Sequence, residues 1–160
     1  MKTKLIAAAT LALCTCLPGL GWAADLATPK GEIVLTVKGN ISIMNAEDSA
    51  QFDMDMLAAL PATTFKTTTI WTEGENEFTG VSIKALSEAL GMTGTRITAT
   101  AINDYAVEIP MSDAVEGGPM LAYAMNGEAM SVRDKGPLWV IYPFDANTDY
   151  QTEVVYSRSI

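Results

Sequence analysis

Hydrophobic and polar residues follow one another along this chain in short blocks, most of them ended by Gly, Pro, Asn or Asp. Blocks of about four to eight residues that are β-branched or alternate in polarity are typical of strands. Such blocks predict strands at residues 33–37, 63–72, 96–102, 106–109 and 138–142, with a further apolar segment at residues 120–125. The first strand is predicted to form an opening hairpin with residues 41–44 across a turn at Gly39.

Two segments have the spacing of hydrophobic residues that a helix requires. Residues 48–60 place four hydrophobic side chains at this spacing and stop at Pro61. Residues 84–90 form the second predicted helix, with Gly91 as its C-cap. Strands therefore dominate, with two or three short helices inserted. The predicted class is α+β, with a mixed β-sheet or small barrel rather than a doubly wound sheet.

Residues 1–23 follow the plan of a secretory signal peptide: two early lysines, an apolar run over residues 5–13, and small residues leading to Ala23. The apolar run is shorter than the roughly 20 residues that span a bilayer. We therefore expect export to the periplasm, cleavage near Ala23, and a single domain over residues 24–160 with no direct membrane insertion. An N-terminal anchor that is not cleaved is the alternative.

Charge and reactive side chains narrow the function of the exported part. Cys14 and Cys16 are the only cysteines and histidine is absent, so residues 24–160 hold no disulfide, no Ser-His or Cys-His nucleophile and no His-based zinc site. These residues include 8 basic and 19 acidic side chains, a net charge of −11. Nucleic acids and anionic membranes are therefore poor partners. Binding is favoured over catalysis, and neither catalytic nor metal-ligating residues are predicted.

Four motifs in the second half of the chain occur in a fixed order. They are Phe78-x-Gly80-Val81-x-Ile83-x-x-Leu86-x-x-x-Leu90-Gly91, Asn103-Asp104-Tyr105-x-x-x-Ile109-Pro110, Met120-Leu121-Ala122-Tyr123-x-Met125-Asn126-Gly127-Glu128 and Gly136-Pro137-Leu138-x-x-x-Tyr142-Pro143. Each motif alone is weak, but together they resemble the molybdopterin-binding domain of the sulfite oxidase family. The resemblance implies a sulfite-oxidase-like fold.

The chain differs from the enzymes of this family at one chemically important position. In the enzymes of this family, a cysteine in the loop before the Gly-Val motif ligates molybdenum, and here residues 69–77 contain no thiol. Carboxylates do not replace soft sulfur in such a site. The chain is similar instead to small periplasmic pterin-binding proteins that partner with inner-membrane diguanylate cyclase/phosphodiesterase sensors. This resemblance implies a reduced pterin as ligand, the periplasmic domain of such a sensor as partner, and no molybdenum.

A pterin is a flat, polar heterobicycle that needs an aromatic or guanidinium surface and a carboxylate for its 2-amino/N3 edge. On these requirements and the resemblance, the predicted ligand-binding residues are Trp71, Thr72, Glu73, Asp104, Tyr105, Tyr123, Arg133 and Trp139. Structural roles stay open beside these: Asp104 suits a β-turn, the aromatic rings suit a core, and Arg133 suits a solvated loop.

Two other classes of function remain open at the level of sequence. One is a molybdopterin-dependent oxidoreductase, or its accessory subunit, with an unusual metal ligand. The other is a structural module that binds only protein.

Overall fold

The computed structural model describes residues 26–160, and the predicted signal peptide lies outside the described residues. The strands are β1 (Leu35–Lys38), β2 (Ser49–Phe52), β3 (Ala62–Thr68), β4 (Glu75–Ser82), β5 (Arg96–Thr100), β6 (Ala106–Pro110), β7 (Met120–Met125), β8 (Glu128–Ala129) and β9 (Trp139–Ile141). The helices are α1 (Met54–Ala58), α2 (Ile83–Leu90) and α3 (Glu153–Tyr156), with 3-10 turns at Met111–Asp113, Val132–Asp134 and Thr148–Tyr150.

A five-stranded sheet forms the centre of the fold, and β7 lies in its middle. β7 pairs with β4 on one side, and β3 extends the sheet beyond β4. On its other side, β7 pairs with β9 along its first half and with β8 along its second half. All of these pairings are antiparallel. This sheet contributes Phe78 and Ile141 to the largest fully buried side chains of the core, and Tyr142 follows it directly.

Close contact between β4 and β7 explains why position 80, in the Gly80-Val81 motif, is occupied by glycine. A Cβ atom on Gly80 would collide with the carbonyl oxygen of Leu121 and with the backbone of Ala122. The register shifts beside this contact, since Gly80 lies opposite Ala122 whereas Thr79 lies opposite Ala124. Tyr123 is therefore the extra residue of a β-bulge.

The predicted opening hairpin is wrong, because β1 pairs with β2 and not with residues 41–44. The backbone N–H groups of Ser42 and Ile43 donate instead to the carbonyl oxygen of Leu90 (2.8 and 3.2 Å), which holds this segment at the end of α2. The loop then returns through Asn45, whose side-chain amide donates to Gln51 O at 2.8 Å and accepts from Gln51 N at 2.8 Å. Leu90 is far from Ser42 and Ile43 in the sequence, so no local pattern indicates the bonds that hold this segment.

The predicted helix over residues 48–60 is also too long, because its first part is strand β2. Ala50 and Phe52 are buried in the core as strand residues. Asp53 then starts α1 as its N-cap, with Oδ1 accepting from Met56 N at 2.9 Å, and its Oδ2 accepts from the N–H groups of Lys30 and Gly31. These hydrogen bonds, Gly31 first, hold the pKa of Asp53 below its ordinary value because they stabilise the carboxylate.

Helix α2 confirms the second helical prediction and shows its two caps. Ser82 accepts from Ala85 N at 3.0 Å at the start, and Gly91 ends the helix in the left-handed region, with φ 57°. An amphipathic segment of eight residues buries Ile83, Leu86 and Leu90 against the sheet.

The α+β class is confirmed, with short helices beside sheets that stay open and do not close into a barrel. The hairpin predicted from residues 96–102 and 106–109 is confirmed as β5 and β6. Over residues 26–160, the structure has no helix that is long and apolar enough to cross a membrane.

Candidate functional site

A large groove lies between the two small sheets and encloses about 1410 Å³. One wall is the segment over residues 34–41, which contains β1, and the facing wall is the segment over residues 92–103, which contains β5. Hydrophobic side chains of α2 and the central sheet, among them Ile83, Leu86 and Leu121, lie between these walls. Elements far apart in sequence therefore form one concave site.

Trp71 and Trp139 supply aromatic surface to the lining of this groove. The two indole rings meet edge to face, with centroids 5.7 Å apart. Trp71 is half-buried and also contacts Phe144 and Tyr156, at 6.3 and 6.0 Å between ring centroids. Trp139 is only 2% exposed and packs against Phe78. Three surrounding rings thus fix the position of Trp71, which keeps part of its surface toward the groove.

The loop that carries Trp71 is held by its own polar side chains. Thr69 Oγ1 accepts from the N–H groups of Trp71 and Thr72, at 3.1 and 3.0 Å, and lies 2.8 Å from Thr72 Oγ1. The side-chain amide of Asn76 donates to Thr72 Oγ1 and to the carbonyl oxygens of Glu73 and Gly74. Buried hydrogen bonds of this kind give the loop one defined conformation.

Asn76 also connects this loop to the neighbouring turn. Its Oδ1 accepts from Asn126 Nδ2 at 2.8 Å, and Asn126 Oδ1 accepts from Glu77 N at 2.9 Å. Asn126 adopts φ 54°, a conformation that Asn tolerates better than most residues. The Asn-Gly turn after β7 therefore positions the loop of Trp71 as well as reversing the chain.

Two polar groups at the groove have few partners within the described residues. The ammonium group of Lys135 lies 5.8 Å from the centre of the Trp139 ring, the distance of a cation–π contact. The hydroxyl of Ser159 is buried and has no hydrogen-bond partner among residues 26–160. Both residues line the groove. A ligand with hydrogen-bonding groups would find a cation and a hydroxyl here.

The C-terminal segment forms one side of the groove and is anchored by a largely buried ion pair. The carbonyl oxygen of Ile160 accepts from Val140 N at 2.7 Å. Asp113 Oδ2 accepts from Arg158 Nη1 and from the Tyr142 hydroxyl, both at 2.7 Å. Burial raises the pKa of Tyr142, and the hydrogen bond to Asp113 raises it further, so the hydroxyl stays protonated and donates.

Basic side chains outnumber acidic ones in the lining of the groove, although the protein is acidic. Lys38, Arg96 and Lys135 line it, against one carboxylate, Glu108. Arg96 pairs with Glu108 at 3.1 Å, and both side chains are exposed. Lys38 pairs with Asp48, which is not among the lining residues, at 3.6 Å, so two of these three cations have an acidic partner.

The structure brings together three of the eight predicted ligand-binding residues. Trp71, Tyr105 and Trp139 line the groove. The other five are not among its lining residues: Thr72, Glu73, Asp104, Tyr123 and Arg133. Neither the two strand walls nor Ser159 is predicted from the sequence to line a site, because no local pattern indicates that segments about 60 residues apart will face each other.

Each of the five has a described place outside the groove. Thr72 is half-buried and forms hydrogen bonds within its loop, and the next residue, Glu73, is exposed. Asp104 is exposed on the β5–β6 turn at φ 64°. Tyr123 is half-buried at the bulge of β7, and Arg133 is exposed on a 3-10 turn. None of this tests their part in binding, so their roles stay predictions.

Comparison with known families gives this groove a chemical context. Residues 32–146, more than half of the chain, match the family described as the oxidoreductase molybdopterin binding domain. This chain belongs to that molybdopterin-binding domain family. No curated protein matches the chain.

The donor set of this molybdopterin-binding domain does not fit a molybdenum centre of the thiolate type. Residues 26–160 contain no cysteine, and no three His, Cys, Asp or Glu side chains in this range are grouped to hold a metal ion. The indole of Trp71 lies in the loop where the resemblance places the thiolate, and it offers no metal ligand. The groove fits the pterin part of the cofactor better, since it combines aromatic surface with a buried hydroxyl, that of Ser159, which has no hydrogen-bond partner within residues 26–160.

Proposed function

We propose that this protein binds a reduced pterin in the groove between β1 and β5 and catalyses no reaction on it. The observation that carries the proposal is the place of Trp71, which is fixed by three aromatic rings and forms part of the groove wall. A flat heterobicycle stacks on such a surface with a gain of about 1–3 kcal/mol, as bases do on aromatic side chains.

Polar groups in the groove suit the edges of the ring. Glu108 is the carboxylate among the lining residues, and it offers an acceptor to the 2-amino/N3 edge. The Lys135 ammonium and the Ser159 hydroxyl supply donors for carbonyl and hydroxyl groups. We therefore place the ring against Trp71 and its donor edge toward Glu108, with Asp104 as the competing carboxylate predicted from sequence.

We further propose that the protein works in the periplasm and reports pterin binding to a membrane-bound enzyme of cyclic-di-GMP metabolism. The signal-peptide pattern over residues 1–23 supports export, and the resemblance to the cysteine-less pterin-binding proteins supports the partner. The signal would be a difference in the partner's affinity for the loaded and the empty protein, because a ligand shifts an equilibrium only through such a difference.

Purification from the native host tests the choice between binding and molybdenum chemistry. Mass spectrometry of the released small molecule is expected to identify a pterin without metal, and elemental analysis is expected to find molybdenum far below one atom per chain. Stoichiometric molybdenum would overturn the proposal and favour the oxidoreductase.

Titration of Trp71 variants with tetrahydropterin under anaerobic conditions tests the stacking surface. Trp71→Ala is expected to weaken binding by about 1–3 kcal/mol, roughly fivefold to 150-fold. Trp71→Phe keeps an aromatic face and is the matched control, with a smaller loss expected. Thermal unfolding of both variants shows whether they are folded, and a folded Trp71→Ala protein with wild-type affinity would remove Trp71 from the site.

A second pair of variants decides which carboxylate meets the ligand. Glu108→Gln is expected to weaken tetrahydropterin binding about tenfold, because one acceptor becomes a donor that faces donors. Asp104→Asn makes the same chemical change on the exposed β5–β6 turn, outside the lining of the groove, and is expected to keep wild-type affinity. The opposite result would select Asp104.

A further inference from the structure

Strand β5 has one free edge within the described residues. It pairs only with β6, and the backbone bonds from Ala101 N to Tyr105 O (2.8 Å) and from Met111 N to Thr95 O (2.9 Å) show which positions face β6. In an antiparallel pair these positions alternate. The backbone N–H and C=O groups that point away from β6 are therefore those of Arg96, Thr98 and Thr100.

This free edge borders the groove. Arg96, Thr98 and Thr100 all line it, and the facing wall contains β1, which has β2 as its only strand neighbour within residues 26–160. An unpaired strand edge is a template for hydrogen bonding to another extended chain. Such pairing supplies affinity through the main chain in several modes of peptide recognition.

The groove is larger than one small ligand requires. Pockets for small molecules measure about 300–1,000 Å³, whereas this groove encloses about 1410 Å³. A flat bicycle against Trp71 would leave part of this volume free. All residues of β5 are among the lining residues.

The chemistry of the groove and its rim defines what fits there. Its lining contains three basic side chains and one acidic side chain. Lys38 and Arg96 form ion pairs with Asp48 and Glu108, but these pairs are exposed and such pairs are weak, so an acidic partner can replace them. Three side chains of its lining are large, apolar and exposed: Ile102 at 77%, Val132 at 69% and Tyr105 at 58%. An extended segment that alternates acidic and apolar residues complements both features, since alternate side chains of a strand point to opposite faces.

We propose that the outer edge of β5 receives an acidic, extended segment of a partner protein as an added strand. The proposal rests on the proposed function in one respect, because it names the surface through which a protein partner is engaged. The added strand would lie beside the pterin end of the groove, so that ligand and partner are neighbours in one site.

Amide hydrogen exchange with a synthetic peptide tests this proposal. The probe is a capped hexapeptide with alternating glutamate and valine, and the protein is the chain over residues 24–160. At saturation, the amides of Thr98 and Thr100 are expected to gain at least tenfold protection. A peptide with lysine in place of glutamate is expected to bind at least tenfold more weakly, and an N-methylated acidic peptide is expected to give no protection.

Two variants at one position separate backbone pairing from side-chain contact. Thr98→Pro removes an N–H that points away from β6 and is expected to abolish protection, while Thr98→Ala keeps the N–H and is expected to bind as wild type. If Thr98→Pro does not fold, the N-methylated peptide removes the same bonds from the other side. Protection elsewhere, or equal binding of the lysine peptide, would overturn the proposal.

The same samples keep this proposal distinct from pterin binding. Tetrahydropterin titration and peptide protection are both measured on the wild-type chain, so that each proposal has its own readout. Intact pterin binding without protection of Thr98 and Thr100 by the acidic peptide in the wild-type chain would therefore count against strand addition alone. Protection of the same amides at high protein concentration without peptide would overturn the proposal in favour of self-association.

Discussion

The ion pair between Asp113 and Arg158 is expected to be the main anchor of the C-terminal wall of the groove. Asp113 Oδ2 accepts hydrogen bonds from Arg158 and from Tyr142, both at 2.7 Å, and the two charged side chains are only 15% and 19% exposed. One oxygen thus joins three segments: the 3-10 turn at residues 111–113, the end of β9, and the chain after α3.

Removing the carboxylate leaves a largely buried guanidinium without its partner. Breaking a fully buried pair in this way lowers the free energy of unfolding by about 3–5 kcal/mol. Because this pair is partly exposed, Asp113→Ala is expected to lower it by about 3 kcal/mol. Tyr142→Phe removes one hydrogen bond to a charged group and is expected to cost about 1.5 kcal/mol. In a domain of this size, about 3 kcal/mol lowers the melting temperature by roughly 10 °C.

Urea unfolding followed by tryptophan fluorescence measures these values, and a double-mutant cycle isolates the pair. Asp113→Ala combined with Arg158→Met is expected to cost at least about 1 kcal/mol less than the sum of the single variants. The reasoning fails if Asp113→Ala costs under about 1 kcal/mol or if the two effects simply add. Hydrogen exchange over residues 153–160 is expected to rise in the single variants before the central sheet opens.

Two further predictions concern the scaffold of the site. Gly80→Ala is expected to destabilise the protein by more than about 4 kcal/mol or to prevent folding, because the new Cβ would collide with the backbone of Leu121. Gly31→Ala is the control, because its Cβ would make ordinary contacts. Similar urea midpoints for the two variants would contradict the close approach of β4 and β7. The lowered pKa of Asp53 predicts that its stabilising contribution is complete above pH 4 and is lost as the pH falls through the folded-state pKa. Asp53→Asn is therefore expected to destabilise the protein at pH 7 and to differ less from wild type at pH 3, and a difference that stays constant with pH would refute this.

Local sequence patterns were sufficient to predict a helix or strand where the residues that determine it are close together in the chain. Helix α2 is predicted by its own spacing and by Gly91, and the β5–β6 hairpin by its alternation and turn residues. The ordered motifs also indicated the family, which the match over residues 32–146 confirms.

Local sequence patterns gave wrong predictions where contacts with residues distant in the chain determine the secondary structure. Residues 41–44 look like a strand, yet Ser42 and Ile43 bond to Leu90, so that β1 pairs with β2 instead. Residues 48–60 have helical spacing, yet Ser49–Phe52 form strand β2, and burial of Phe52 in that strand outweighs the helical preference. Propensity is a weak prior when tertiary contacts oppose it.

The sequence by itself determined which chemistry is available at the site: an acidic chain from residue 24 onward with no thiol and no imidazole, and a tryptophan in the loop where the resemblance implies a thiolate. Only the tertiary structure decided where that chemistry lies. It placed Trp71, β1, β5 and the segment around Ser159 around one groove and left Asp104 on an exposed turn. The reason is physical, because a groove is formed by contacts between elements far apart in the chain, and such contacts leave no periodic pattern in either partner.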